Sequence, residues 1–542
     1  MSASAVQSAA ANVCDAVVVG AGFAGLYQVH RLQQAGYRVR AFEKGSDVGG
    51  TWYWNRYPGA RCDIESICYS YSFDEALQRE WRWPQRYAEQ PDILRYLQHV
   101  AERFDLRQHF AFNTAIESAH YDETSQRWLV RTSTGETIST QFFIMATGCL
   151  SKPLEPKFKG LESFTGEQYQ TSRWPHAGVD FTGKRVGIIG TGSSSIQSTP
   201  IIAKQAAQLM VFQRTPQFAI PAWNRELTDA EMRTAQESYA ELRRLMRQSE
   251  VGIDYESPTI GAKAADAESL QKQLEYAWNR GGYLMLAAYP DLLTDLESNK
   301  IVSDWVKERI RARIKDPEVA RKLMPEYPLG AKRLCVDTNY FETFNRDNVT
   351  LVDLRESGID GFTAQGIRLE NGTEYALDAV IFATGFDAMT GALLSVDIRG
   401  KGGLTLREKW QNGTKNYLGV SVAGFPNFFT ITGPGSPSVL YNMTASIEQN
   451  VDFVSNTIDH LRDHHLASIE AQPREELAWT KYVDWISKQT IYTKVKSWYN
   501  GENVNGKPAG FMPYAGGGLT YFEFVRQAVD EGYRGFTTRG RT

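Results

Sequence analysis

The chain has 542 residues, 42% hydrophobic and 23% charged, with a formal net charge of −4. That balance excludes whole-chain disorder, collagen-like sequence and coiled coil, and at about 150 residues per domain the length predicts three to four lobes. No long basic run is present, so nucleic acid and anionic membrane are not expected partners.

Met1 to Val13 is small and polar with no Lys or Arg, reads as a frayed tail, and lacks the n-region of a signal peptide. The longest apolar run, Ala16 to Tyr27, is interrupted by three glycines and is shorter than the roughly 18 residues of a membrane span. Within it, Asp15 to Val19 predicts a strand buried on both faces. Tyr27 to Gln34 predicts a helix and Tyr37 to Glu43 a second strand. Between the first strand and the helix stands Gly20-Ala21-Gly22-Phe23-Ala24-Gly25. In such a loop Gly20 allows the tight turn, Gly22 lets a pyrophosphate approach, and Gly25 lets helix and strand pack closely. Glu43 ends the next strand, placed to accept a hydrogen bond from a ribose hydroxyl.

The same unit recurs 170 residues on: Arg185 to Ile189 as strand, Gly190-Thr191-Gly192-Ser193-Ser194-Ser195 as loop, Ile196 to Ala207 as helix, and Leu209 to Phe212 as strand. No acid follows that last strand. Gln213-Arg214-Thr215 stands there, and a guanidinium suits a 2′-phosphate, so this site is expected to prefer NADPH to NADH. Residues 224–330 change character: Asp229 to Gln248 and Ser303 to Lys315 show helical spacing, and strand signals nearly vanish. Ala379 to Ala383 returns as a buried strand, followed by a helix at Ser446 to Leu461 and loops rich in Gly and Pro. Ala146-Thr147-Gly148 and Ala383-Thr384-Gly385, each after an apolar strand, resemble the short turns that two-dinucleotide flavoproteins use where chain segments cross between domains.

Two dinucleotide sites describe a flavoprotein reductase or monooxygenase. The branch is decided by the run from Gly49-Gly50-Thr51-Trp52 to Tyr57-Pro58-Gly59-Ala60-Arg61-Cys62-Asp63, where Trp52 replaces the redox cysteine of a disulfide reductase. The five cysteines (Cys14, Cys62, Cys68, Cys149, Cys335) are scattered and odd in number, which argues against a disulfide framework and for a reducing cytoplasm. The histidines offer no metal-ligand spacing, and no metal site is expected. Of 13 tryptophans, many gather between positions 52 and 83, a clustering that needs an explanation.

The glycine pair with Trp52, Tyr57, Pro58, Gly59 and Asp63 resembles a fingerprint of type I Baeyer–Villiger monooxygenases. Phe164 to Pro175 approximates a second one, with Gln170 in place of its histidine. The resemblance runs from Gly20 to Ser497-Trp498-Tyr499 and is nearest to the phenylacetone and steroid monooxygenase branch. It implies an α/β fold of two Rossmann-like dinucleotide-binding domains with a helical insertion. The FAD domain would be built from 1–150 and 381–542, the NADPH domain from 151–223 and 331–380, and the insertion from 224–330. It further implies FAD, NADPH, O2 and a ketone, with an ester or lactone formed through a C4a-peroxyflavin.

Arg333 in Gly330-Ala331-Lys332-Arg333 would be the catalytic cation and Asp63 its partner. FAD is expected at Gly20, Gly22, Gly25, Glu43, Trp52 and Asp63. NADPH is expected at Gly190, Gly192, Ser193, Ser194, Arg214, Thr215 and Lys332, with Trp498 on a lid that closes over nicotinamide or substrate. Leu150, Ser438, Val439 and Leu440 are expected to line the ketone pocket. A monomer or weak oligomer is expected. Gln170 leaves open a monooxygenase acting on nitrogen or sulfur, or a flavin-binding redox sensor without turnover.

Overall fold

The computed structural model describes residues 12–540; the expected tail lies outside the described residues through position 11, while Val13 already opens a strand. That strand, β1 (Val13–Val19), is followed by helix α1 (Phe23–Gln34) and strand β2 (Val39–Phe42). The helix begins four residues earlier than its apolar spacing indicates, because the glycine loop itself delivers Phe23 into the first turn. A short helix α2 (Thr51–Trp54) precedes β3 (Phe110–Ala111), β4 (Ile116–Asp122), β5 (Arg127–Thr132) and β6 (Thr137–Met145). Beyond a linker come β7 (Glu167–Gln170), β8 (Arg185–Ile189), α3 (Ser193–Ile202) and β9 (Gln208–Gln213). Helix α3 stops at Ile202, short of the expected Ala207, and the chain turns directly into β9.

Among the described residues no strand interrupts the chain between Pro221 and Cys335, a stretch of helices that includes α4 (Asp229–Gln248), α5 (Ala267–Arg280) and α6 (Leu296–Arg311). Thr228, Asp266 and Asp295 cap the N-termini of these three. The Asp295 cap starts α6 well before the expected Ser303. The remaining strands of the two main sheets are β10 (Val349–Asp353), β11 (Ala379–Phe382), β12 (Asp397–Arg399) and β13 (Phe428–Thr430).

The strands form two main sheets. The first runs β12-β4-β5-β6-β1-β2-β3, with β13 also pairing β6; the second runs β10-β9-β8-β11-β7 and is wholly parallel. Ala16, Val17 and Val18 have no exposed surface, as a strand covered on both faces requires. Trp128 on β5 is fully buried, stacks near Phe143 and Phe428, and donates its indole N–H to the Pro426 carbonyl at 2.8 Å. It thereby locks the C-terminal segment onto the first sheet.

The outgoing and returning linkers between the sheets lie side by side. Leu154 N–H donates to the Gly385 carbonyl at 3.1 Å, and the Gln170 amide donates to the Leu154 carbonyl at 2.7 Å. Among the described residues no helix is long and apolar enough to cross a membrane. Trp128→Ala is expected to destabilise the first lobe by about 3–5 kcal/mol, read as a lower thermal midpoint. An unchanged midpoint would contradict this packing.

Candidate active site

The two glycine loops are built alike. Gly20 and Gly190 both have φ of +108°, and a Cβ on either would sit 2.6 Å from a carbonyl oxygen, of Ala146 or Ala383 respectively. Those alanines open the two Ala-Thr-Gly turns, so each loop is pressed against a crossing point. A Cβ at Gly25 would collide with the Gly20 carbonyl, which is why α1 packs so closely on its loop. Gly22 faces Gly50, where an added Cβ would lie 2.7 Å from the Gly22 Cα. Helices α1 and α3 start without a capping side chain and without an acid in the first turn. They present free N–H groups and positive dipole ends over backbone that admits a phosphate. Both loops therefore fit a dinucleotide.

Glu43 is buried and accepts N–H bonds from Ala21 at 3.0 Å and Gly45 at 2.7 Å, so its carboxylate braces the first loop. In the second loop Ser193 Oγ lies 3.4 Å from Cys335 Sγ, and Gly192 has open space around its Cα. Ser194 follows Ser193 in the first turn of α3, while Ser195, replacing the third glycine, is fully buried. The Thr215 carbonyl accepts from Thr191 Oγ1 at 2.7 Å, which ties the loop to the segment carrying Arg214. Burial first, and the Arg214 charge second, push the Lys332 amine below the ordinary lysine value, with Glu502 offsetting only part of this. Two adjacent cations beside a phosphate-sized loop make a receptor for a further anion.

Asp63 and Arg333, 270 positions apart, form a bidentate ion pair: Nε to Oδ2 is 3.2 Å and Nη2 to Oδ1 is 3.0 Å. Arg333 Nη1 donates to the Val439 carbonyl, and its guanidinium lies 4.8 Å from the Tyr283 ring centroid. Burial alone would depress the guanidinium, but Asp63, with Tyr283 and Tyr499 behind it, holds its pKa well above the ordinary arginine value. The cation stays charged at every working pH. Around Val439 an apolar cluster gathers Cys149, Met389, Tyr492 and Tyr499, with Leu150, Leu440 and Trp498 partly buried against it. Ser438 is buried with a left-handed backbone (φ 45°) and its Oγ faces Met389 Sδ. Trp498 is half-buried, its ring centroid 4.3 Å from that of Tyr499. The structure thus brings Arg333, Asp63, Leu150, Val439, Leu440 and Trp498 to one place.

Other contacts join fingerprint residues to partners that no motif announced. Tyr57 Oη donates to Gln197 Oε1 at 2.8 Å, and Gln197 also bonds the Arg61 backbone, so the segment after Gly50 is clamped onto α3. Tyr283 comes from the helical insertion. Trp52 is buried and donates its indole N–H to Tyr69 Oη at 3.3 Å. All five cysteines are free and buried, and burial pushes the Cys62 and Cys68 thiols well up, away from thiolate chemistry.

Paired dinucleotide folds with a half-buried, carboxylate-paired arginine between them define a flavoprotein oxidoreductase of the monooxygenase class. Residues 14–232 match the model of the flavin-binding monooxygenase-like family. The chain is 42% identical to a Baeyer–Villiger monooxygenase of Pseudooceanicola batsensis, over 96% of this chain and 95% of that protein. It is 40% identical to a phenazine N-monooxygenase of Lysobacter antibioticus, over 96% of each. A solved structure of an oxidised steroid monooxygenase bound to NADP superposes with a TM-score of 0.94 at 48% identity, covering 98% of this chain and all of that one. The chain belongs to the Baeyer–Villiger monooxygenase family of flavin-binding monooxygenases.

The Arg214–Lys332 pair has a measurable consequence. Arg214→Ala is expected to lower kcat/KM for NADPH by about 10- to 100-fold, the worth of a charge-assisted bond, while NADH is little affected. In the parent, kcat/KM for NADPH should fall as pH rises through the lowered Lys332 pKa, because the phosphate loses a cation. Removing Arg214 relieves the part of that depression its charge causes, leaving the larger part due to burial, and should move the fall to higher pH; an unmoved fall would contradict the pairing.

Proposed function

We propose that this protein is an NADPH-dependent flavin monooxygenase that inserts one oxygen atom from O2 beside a ketone carbonyl, giving an ester or lactone. The observation that carries this reading is the half-buried Arg333–Asp63 ion pair opening onto the apolar cluster at Val439. Bound FAD, reduced by NADPH, supplies the activation of oxygen. The protein supplies position, charge and dryness.

The first sheet, with Gly20, Gly22 and Gly25 at the end of β1, is assigned to FAD, and the second, with Gly190, Gly192, Ser193 and Ser194, to NADPH. Each Glu43 carboxylate oxygen retains a lone pair for a ribose hydroxyl beyond its backbone bond. Arg214, Thr215 and Lys332 hold the 2′-phosphate. Trp52 and Asp63 would lie on the flavin side of the site.

Arg333 opposes negative charge on the attacking oxygen and on the carbonyl oxygen as it becomes tetrahedral. A guanidinium cannot give up its proton there, so it stabilises without protonating. Asp63 holds both arms of the fork and fixes the direction of the cation. Leu150, Ser438, Val439 and Leu440 form the wall against the ketone, and Trp498 closes over it, which keeps water from the reacting oxygen. The five buried free thiols support a cytoplasmic setting.

A second reading, oxygenation of nitrogen or sulfur, is favoured by the phenazine N-monooxygenase relative and by Gln170 at the fingerprint histidine. The holoenzyme should be given NADPH with linear, cyclic, aryl and steroidal ketones and, separately, a sulfide. Ester or lactone from at least one ketone is the expected result. A sulfoxide with no ester from any ketone would overturn the first reading in favour of the second.

A further inference from the structure

Of the four tryptophans between positions 52 and 83, three, Trp52, Trp81 and Trp83, lie on one line of aromatic contacts, while Trp54 packs apart from it against Tyr53. Trp52 lies 5.9 Å, ring centroid to centroid, from Tyr69, and its indole N–H points at that phenol oxygen. Tyr69 lies 5.2 Å from Phe23, and Phe23 lies 6.1 Å from Tyr96. Tyr96 then contacts two tryptophans, Trp83 at 5.1 Å and Trp81 at 5.2 Å, which are 5.8 Å from each other. Every step is within the range of direct aromatic contact. The inner end adjoins the first glycine loop, since Trp52 stands two residues after Gly50, where an added Cβ would lie 2.7 Å from the Gly22 Cα. At the outer end Trp83 is buried and Trp81 is half-buried, reaching solvent.

We infer that this aromatic path, from Trp52 to Trp81, carries oxidising equivalents away from the flavin site and hands them to a reductant at the surface. The inference rests on the flavin reading above, because oxygen chemistry that goes astray is the source of the oxidant, here a hydroperoxyl radical. Trp52 gives that radical one electron; the radical takes a solvent proton and leaves as hydrogen peroxide. The vacancy in Trp52 is filled by an electron from the Trp83–Trp81 pair, with Tyr69, Phe23 and Tyr96 as the intervening π contacts. A thiol in solvent then gives Trp81 one electron and loses its proton to water, and two such sulfur radicals join as a disulfide. In sum, two hydroperoxyl radicals and two thiols become two hydrogen peroxides and one disulfide.

The path moves electrons and not protons. Trp81 Nε1 is buried without an acceptor, so the oxidised ring keeps its proton. Tyr71, beside the path, donates to a backbone carbonyl, which is no base. Simple packing explains the contacts themselves, but it predicts no order of oxidation among the tryptophans.

That order is the test. The FAD-loaded enzyme is run with NADPH and O2 but no ketone, without thiol and with added glutathione. Oxidised residues are located by peptide mass spectrometry, while NADPH consumption and peroxide release are followed in the same sample. Oxygenated Trp81 should accumulate ahead of Trp485 and Trp223, which are 55% and 48% exposed and lie off the path. Glutathione should suppress the Trp81 product several-fold. Trp81→Phe should move the product inward to Trp83 with kcat unchanged, and Trp81→Phe with Trp83→Phe should move it to Trp52 and Tyr69 and shorten the working half-life several-fold. Oxidation of Trp485 and Trp223 ahead of Trp81, or no inward movement in Trp81→Phe, would overturn the relay. Absence of NADPH-driven peroxide release would contradict the flavin reading itself, and with it the relay's source of oxidant.

Discussion

A guanidinium out of bulk water is tolerable only with its charge met and its N–H groups bonded, and at Arg333 that requirement joins distant parts of the chain. Asp63 arrives on the loop after the first glycine unit, Val439 on the C-terminal segment, and Tyr283 on the helical insertion. Arg333 itself sits where the insertion returns to the strand Cys335–Asp337. Removing any one of these contacts would leave a half-buried charge short of partners, so lobe placement and reactive geometry are one constraint.

The duplicated glycine units set the distance across which that pair works. Each loop is pressed onto a crossing strand by its first glycine, at Ala146 and at Ala383, so cofactor cradle and inter-lobe linker share atoms. Tyr57 and Gln197 add a direct clamp between the lobes, and Gly59 completes it, since a Cβ there would lie 2.5 Å from the Gln197 carbonyl. Gln170 acts in the same region through the Leu154 carbonyl. That bond asks only for an amide N–H donor, which glutamine provides without titrating. The two glycine loops and the cation are thus referred to one rigid frame.

Much of this was legible in the residues because it rests on local chemistry. Positive φ at Gly20 and Gly190 can be read from glycine spacing, and β1 and β8 from short apolar runs. Asp63 and Arg333 became candidates through resemblance alone, for nothing local ties two residues 270 positions apart. Tyr283 and Gln197 had no signal, since their roles arise only when separate segments fold together. The strand Arg127–Thr132 was readable in principle: Trp128, Val130 and Thr132 alternate with exposed Leu129 and Arg131. Helix ends shifted where caps, such as Asp295, outweighed apolar spacing.

The central claim is that a fixed, permanently charged Arg333 makes the oxygen transfer possible without being needed to bind or reduce the flavin. Its most direct test is Arg333→Ala in single turnover, with flavin absorbance and ester yield followed together. The account predicts FAD bound and reduced by NADPH, with ester formation lowered by about 10²- to 10³-fold, the usual loss when one preorganised donor is removed. Undiminished ester yield would contradict it.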